Sequence, residues 1–397
     1  MSAIRELRRT SGAMRCLECG KCSTLCPLSA LSNFSAARMA AIHDSSTDLV
    51  RYATTVGRCL TCGSCEVRCP QGVHFTELVR GLRAEIPHQP CPHGAVFQTA
   101  AAIGDAARDL SWLDDDLRVA ENGDIALFVG CAPLFDVLFE RDLGVRSLDV
   151  TRAAIRLLNA AGIEPVLVDS ERCCGHDLLW SGEVDAFRTL AAANTASFES
   201  RGVKHILTTC AECARTWKID YAEAAPRYKP RIEHIAEWLA RSGLTFQSQE
   251  KVTYQDPCRL VRHLGVADAP RQLVGGSGAE LVEMTRHGVD AQCCGTPGFI
   301  RCDADARALQ QRRLDDAAAT GAERMLTACP KCRIHFSCAQ NEDGLRGRER
   351  PRMEIEDITT FALRTLSSGV MPSEAGDLPV SSPSSRPGMT KKEETLS

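Results

Sequence analysis

The sequence predicts a multidomain chain, α and then α/β, in which a small helical segment precedes an α/β arrangement that occurs twice. Three observations predict it. Cysteines gather in two tight runs near the start, "CLECGKCSTLCP" and "CLTCGSCEVRCP". From about residue 125, apolar strand patterns alternate with amphipathic helix patterns. That alternation, with cysteines where strands end, then recurs in the second half.

A chain of 397 residues, 44% of them hydrophobic, can bury two or three cores and does not need disulfides to fold. Its 21 cysteines therefore point to metal or redox chemistry. The opening "MSAIRELRRTSGAMRC" has no secretory-leader pattern, so a reducing cytoplasm is the expected compartment. The longest apolar stretch, residues 125–139, is shorter than the ~20 residues of a membrane span and contains Gly130, Pro133 and Asp136. Any membrane contact is expected to be peripheral, through a partner subunit. A net charge of −4 and the lack of a basic run beside an aromatic platform argue against nucleic acid.

Residues 1–90 are expected to form the helical domain, with helices in "SAARMAAIHD" and "TELVRGLRAEI" after the first and second cysteine runs. Residues 91–124 read as a connector, with a helix in "AVFQTAAAIGDAARDL" and an acidic turn at Asp114, Asp115 and Asp116. In the first α/β lobe, 125–245, "DIALFVG", "EPVLVDS" and "HILTTC" read as strands, while "LDVTRAAIRLLNAAG" and "VDAFRTLAAANTASFES" read as helices. The second lobe, 250–366, repeats this with "KVTYQDPC", "AELVEM", "DADARALQQRRLDDAAATG" and "RMLTACPKC". The closing stretches "RIEHIAEWLARSGL" and "MEIEDITTFALRTL" read as matching helices. From 367 to 397, Ser, Pro and Gly without periodicity predict a disordered tail.

The first run supplies Cys16, Cys19, Cys22 and Cys26 before Pro27; the second supplies Cys59, Cys62, Cys65 and Cys69 before Pro70. Both fit the C-x2-C-x2-C-x3-C-P run of two-cluster ferredoxins, in which three close thiolates hold one 4Fe-4S cubane and the fourth crosses to the other. The expected sets are Cys16, Cys19, Cys22 and Cys69 for one cubane, and Cys59, Cys62, Cys65 and Cys26 for the other. Structural zinc also uses C-x2-C pairs, but rarely takes the remaining cysteines at this spacing.

Each lobe gathers five more thiols: Cys131, Cys173, Cys174, Cys210 and Cys213 in the first, and Cys258, Cys293, Cys294, Cys329 and Cys332 in the second. Matching cysteines are offset by 127, 120 and 119 residues. An ordinary cubane takes four ligands, so a fifth needs another explanation. Adjacent cysteines bridge each other only with strain, so "RCCGHD" and "QCCGTPGF" do not read as structural staples. Gly175 and Gly295 are expected to admit a bulky inorganic group close to the backbone. Cys91, Cys302 and Cys338 fit no motif and read as small buried residues. Lys331, Arg333 and His335 could hold an anionic substrate group, but read first as a solvated basic turn.

These motifs resemble the cysteine-rich CCG domains of heterodisulfide reductases, above all the D subunit, over about residues 10 to 365. The resemblance implies a helical two-cluster ferredoxin-like domain followed by two duplicated α/β CCG lobes. It also implies a noncubane 4Fe-4S cluster on each five-cysteine set, beside the two cubanes, and makes those ten cysteines the candidate catalytic residues. The implied reaction is reduction of a disulfide, or oxidation of two thiols, with electrons from a flavoprotein or a membrane b-type cytochrome. The iron-sulfur subunits of glycolate oxidase and anaerobic glycerol-3-phosphate dehydrogenase share the layout, and this implies the alternative of a non-catalytic electron-transfer subunit. No G-x-G-x-x-G follows a strand, so neither flavin nor nicotinamide is expected on this chain.

Overall fold

The computed structural model describes residues 3–32, 34–42, 46–86, 92–103, 110–295, 301–347 and 352–367. Cys91, the last part of the connector helix and the tail from 368 onward lie outside these residues.

The N-terminal part is helical, with Ala36–Ala40 and Phe75–Glu85 where helices were expected. Seven short strands follow among the described residues: β1 (Ile125–Phe128), β2 (His205–Thr208), β3 (Arg231–His234), β4 (Lys251–Gln255), β5 (Glu280–Leu281), β6 (Arg324–Thr327) and β7 (Glu354–Asp357). They make two wholly parallel sheets, ordered β1-β2-β3 and β5-β4-β6-β7. Ile125 stands opposite His205 and His205 opposite Arg231; Val252 stands opposite Arg324 and Arg324 opposite Glu354. Parallel strands buried on both faces read as apolar runs, which is why "IALF" and "HILT" were legible.

The expected strand "EPVLVDS" shrinks to Val166 alone, which bridges both Ala126 and Ala120. Val166 N donates to Ile125 O at 2.8 Å, and Val166 O accepts from Leu127 N at 3.1 Å, in parallel register with Ala126. Pro165 has no amide hydrogen to extend the ladder. This bridge occupies the place of β5, so both lobes share one topology: the second strand lies outside the first, and the chain then crosses to the other side. The closing stretches also differ from expectation. Each begins with a strand, β3 or β7, and only then turns helical, at Ile235–Leu239 and Ile358–Thr365. His234 and Asp357 mark the change by capping, accepting from Ala236 N at 3.1 Å and Thr359 N at 2.8 Å.

Helices cover the sheets in the expected way. Ser147–Ala160 buries Val150, Ala153, Ala154, Leu157 and Leu158, a single helical stripe. Buried side chains of the helical segment, the second sheet and part of the first form one connected core, while Phe128, Phe198 and Trp217 anchor a second core in the first lobe. Trp180, fully buried, marks where the three parts meet. Arg259, Arg215 and Arg80, one from each part, stand 4.1, 4.7 and 5.9 Å from the centroid of its ring. Arg83 adds bonds to Trp180 O at 2.9 Å and Cys59 O at 2.6 Å.

Candidate metal centres

The N-terminal thiols gather in two separate cavities. Cys16, Cys19, Cys22 and Cys69 line one; Cys26, Cys59, Cys62 and Cys65 line the other. Each run thus shares its fourth cysteine with the other run's cavity, the grouping expected from the motif. The two loops have the same shape, with Glu18 and Gly20 in one, and Thr61 and Gly63 in the other, all at positive φ. Two non-glycine residues held at φ near +50° are costly turns that wrap each loop inward.

Burial pushes Cys26 up to about 12 and Cys59 to about 11, so both stay protonated in the metal-free chain at neutral pH. A bound metal would supply the charge that draws them to thiolates. No disulfide joins any of the described cysteines. Convergent, unpaired thiols around two small cavities fit iron-sulfur ligation.

In both lobes the five thiols make the same chain of contacts. Cys131 Sγ lies 3.1 Å from Cys173 Sγ, and Cys174 Sγ lies 3.5 Å from Cys213 Sγ. Cys173 bonds Cys174, and Cys213 bonds Cys210, completing the series. The second lobe repeats it, with Cys258 on Cys293, Cys293 on Cys294, Cys294 on Cys332, and Cys332 on Cys329. Cys131 and Cys210 follow β1 and β2, and Cys258 and Cys329 follow β4 and β6. In each sheet the strand order reverses between these two strands, and ligands collect in the crevice outside the carboxyl ends of strands at such a point.

The two thiol series also touch each other. Cys210 contacts Cys329, the matching member of the other lobe, so the two C-x2-C turns meet face to face. Cys62 of the helical segment contacts Cys293. The glycines after the cysteine pairs serve another purpose than expected. A Cβ on Gly175 would meet Phe187 Cδ2 at 2.9 Å, and one on Gly295 would meet Ala306 O at 2.7 Å. They let the turn pack at positive φ against a helix that follows it, Val184–Ser200 for Gly175 and Ala304–Ala318 for Gly295.

The basic turn is not solvated. Lys331 is 5% exposed, and its Nζ is ion-paired with both Asp177 and Glu212 of the first lobe. Burial works against this ammonium, but the two carboxylates outweigh it and hold its pKa above the ordinary lysine range. Burial drives His176, 3.2 Å from Glu212, well below the usual imidazole range, leaving it neutral. His176, Asp177 and Glu212 are close enough to hold a metal ion, yet Lys331 already stands between two of them. Lys331, Asp177 and His176 line one cavity with the five first-lobe thiols. A signal for this was present in the sequence: Glu212 and Lys331 occupy the same place in "CAEC" and "CPKC", with opposite charge. Cys302 and Cys338 are half-buried and belong to neither thiol series.

Two parallel α/β lobes with matched thiol series, joined to a helical segment with two four-thiol cavities, define an iron-sulfur protein of the electron-transfer class. Residues 12–73 match the family described as 4Fe-4S dicluster domain, and residues 125–218 and 252–337 each match the CCG cysteine-rich domain. The D subunit of the dihydromethanophenazine:CoB--CoM heterodisulfide reductase of Methanosarcina mazei is 30% identical over 320 residues, covering 74% of each chain. The protein belongs to the family of heterodisulfide reductase D subunits. It is also 31% identical to the B subunit of the fumarate reductase (CoM/CoB) of Methanothermobacter marburgensis, over 56% of this chain and 43% of that one. To the EtfAB:quinone oxidoreductase of Syntrophomonas wolfei it is 30% identical, over 52% of this chain and 30% of that one. A hypothetical protein from Helicobacter pylori shares the fold, with TM-score 0.53 and 11% identity over 85% of this chain and 68% of that one. No helix among the described residues is long and apolar enough to cross a membrane.

Proposed function

We propose that the chain is the disulfide-reducing component of an oxidoreductase complex, with the domain limits expected from the sequence. Cys16, Cys19, Cys22 and Cys69 would hold one cubane, and Cys26, Cys59, Cys62 and Cys65 the other. The two five-cysteine sets would hold noncubane clusters. When bound, such clusters supply one-electron steps and iron sites with affinity for sulfur. The net reaction takes two electrons and two protons, breaks one S–S bond and forms two thiols; the electrons come from a reduced flavoprotein or b-type cytochrome partner.

The contact between Cys210 and Cys329 carries this reading. It brings two complete thiol series to one junction, where a disulfide could address both. Around them the chain excludes water with Val129, Ala132 and Phe135, and keeps Lys331 charged beside the first series.

The test uses reduced viologen as donor and a panel of low-molecular-weight and protein disulfides. Cognate thiol added to oxidised protein should give a new paramagnetic signal, and Cys174→Ser or Cys294→Ser should abolish both signal and turnover. Full activity in both variants would refute the proposal. The likeness to EtfAB:quinone oxidoreductase favours a second reading, a relay without its own reaction. Rapid exchange with a flavoprotein dehydrogenase, and no turnover with any disulfide, would establish that reading instead.

A further inference from the structure

The duplication allows the lobes to be compared position by position, and they differ sharply in the helical turn after the first strand. Behind Cys131 come Ala132, Phe135 and Asp136; at the same places behind Cys258 stand Arg259, Arg262 and His263. All three of the latter grip the Thr61–Cys62 stretch of the helical segment. Arg259 donates to the Thr61 carbonyl and, at 2.8 Å, to its hydroxyl. His263 Nε2 lies 3.1 Å from the same carbonyl, and Arg262 Nε donates to Cys62 O at 2.6 Å. In the first lobe Ala132 and Phe135 instead wall the thiol cavity, and Asp136 accepts from the backbone of Ser147 and Leu148.

Arg262 has no ion pair with a carboxylate among the described residues. Its Nη1 donates to Val289 O at 3.2 Å and Ala291 O at 2.7 Å, and its buried Nη2 has no hydrogen-bond partner among the described residues. The nearby carboxylate of Asp256 is engaged by Arg271, at 2.8 and 2.9 Å. Arg262 stands four residues after Cys258 and is bonded to Cys62, which itself touches Cys293, so its guanidinium sits where the two thiol sets meet. Its charge therefore lies between a thiol set of the helical segment and the thiol series of the second lobe.

We propose that Arg262 is a positioning residue that couples the second N-terminal centre to the second-lobe centre and makes that lobe the electron inlet. This rests on the reading that these thiol sets hold iron-sulfur clusters. An arginine keeps its proton at any working pH. A fixed positive charge at short range favours the more negative, reduced form of whatever lies beside it. Cluster potentials respond to local charge and to hydrogen bonds at sulfur. Arg262 should therefore ease reduction of the two centres it adjoins. Phe135, its counterpart, leaves the first lobe without this link.

The experiment is a redox titration of the iron-loaded protein followed by electron paramagnetic resonance, with iron content measured first. In Arg262→Gln, the equilibrium constant for reducing the second N-terminal centre and the second-lobe centre should fall about tenfold, or ~59 mV for one electron. The other two centres should move less than a third as far. Arg262→Lys, which keeps the charge, should recover most of the shift. Arg188→Gln, at an exposed ion pair with Asp185, should change nothing. Full iron content with no shift, an equal shift in all four centres, or Arg262→Lys shifting as far as Arg262→Gln would overturn the inference. If Arg262→Gln does not assemble, the wild-type protein decides: reduced together, the two centres should show magnetic coupling, and its absence overturns the inference. A wild-type chain without clusters would overturn the underlying reading of the thiol sets instead.

Discussion

Replacing Lys331 with methionine takes the ammonium from between Asp177 and Glu212 and leaves two carboxylates buried at the lobe junction. The side chains concerned are 7% exposed or less, so water cannot take over the lost interaction. Breaking a buried pair from one side costs about 3–5 kcal/mol, because the partner stays charged and dry. Part of that is recoverable by protonation. Burial already raises the Asp177 pKa, and without Lys331 it would rise further. A carboxyl whose folded pKa lies above its unfolded value loses stability as pH rises through the folded pKa. The deficit of Lys331→Met should thus be larger at pH 8 than at pH 5. Urea unfolding of the iron-loaded protein, followed by circular dichroism at both pH values, measures it. Adding Asp177→Asn and Glu212→Gln to the variant should regain most of the loss and flatten the pH dependence. A loss under about 1 kcal/mol at pH 8, or an equal loss at both pH values, would refute the account of Lys331 as the charge that joins the lobes.

Asp357 offers a second pH test. Burial lifts its pKa to about 6 from an ordinary 3.8, so its contribution is intact below 3.8 and lost as pH rises through 6. At ~1.4 kcal/mol per pH unit, Asp357→Asn should gain about 2–3 kcal/mol at pH 8 while keeping the helix cap, and should remove the slope between pH 4 and 6. Unfolding midpoints measured across that range check it, and no gain at pH 8 would count against it. Anaerobically purified protein should carry on the order of 16 iron atoms with equal sulfide, four for each of four clusters. Half that iron, with zinc making up the rest, would remove the noncubane assignment.

Local chemistry in the sequence sufficed for the thiol sets and the duplication. Thiolates must converge from short loops, so "CLECGKCSTLCP" and "CLTCGSCEVRCP" state their grouping in their spacing. Parallel strands buried on both faces are largely apolar, so β1, β2 and β6 show as short runs. The strands β3 and β7 are hidden because "RIEH" and "EIED" are mostly charged and run straight into a helix. Lys331 looked solvated for a related reason: its partners, Asp177 and Glu212, are 154 and 119 residues away, and no local pattern reports an ion pair formed across two lobes. The same holds for Arg262 and Cys62. By itself the sequence determined which residues can bind metal and that the lobe occurs twice. Only the tertiary structure decided that the copies face each other through Cys210 and Cys329, and that the second copy is the one that grips the cysteine turn at Thr61 and Cys62. Ligand spacing is a property of the local chain, whereas the side of a lobe that meets a neighbour is fixed by long-range packing and charge.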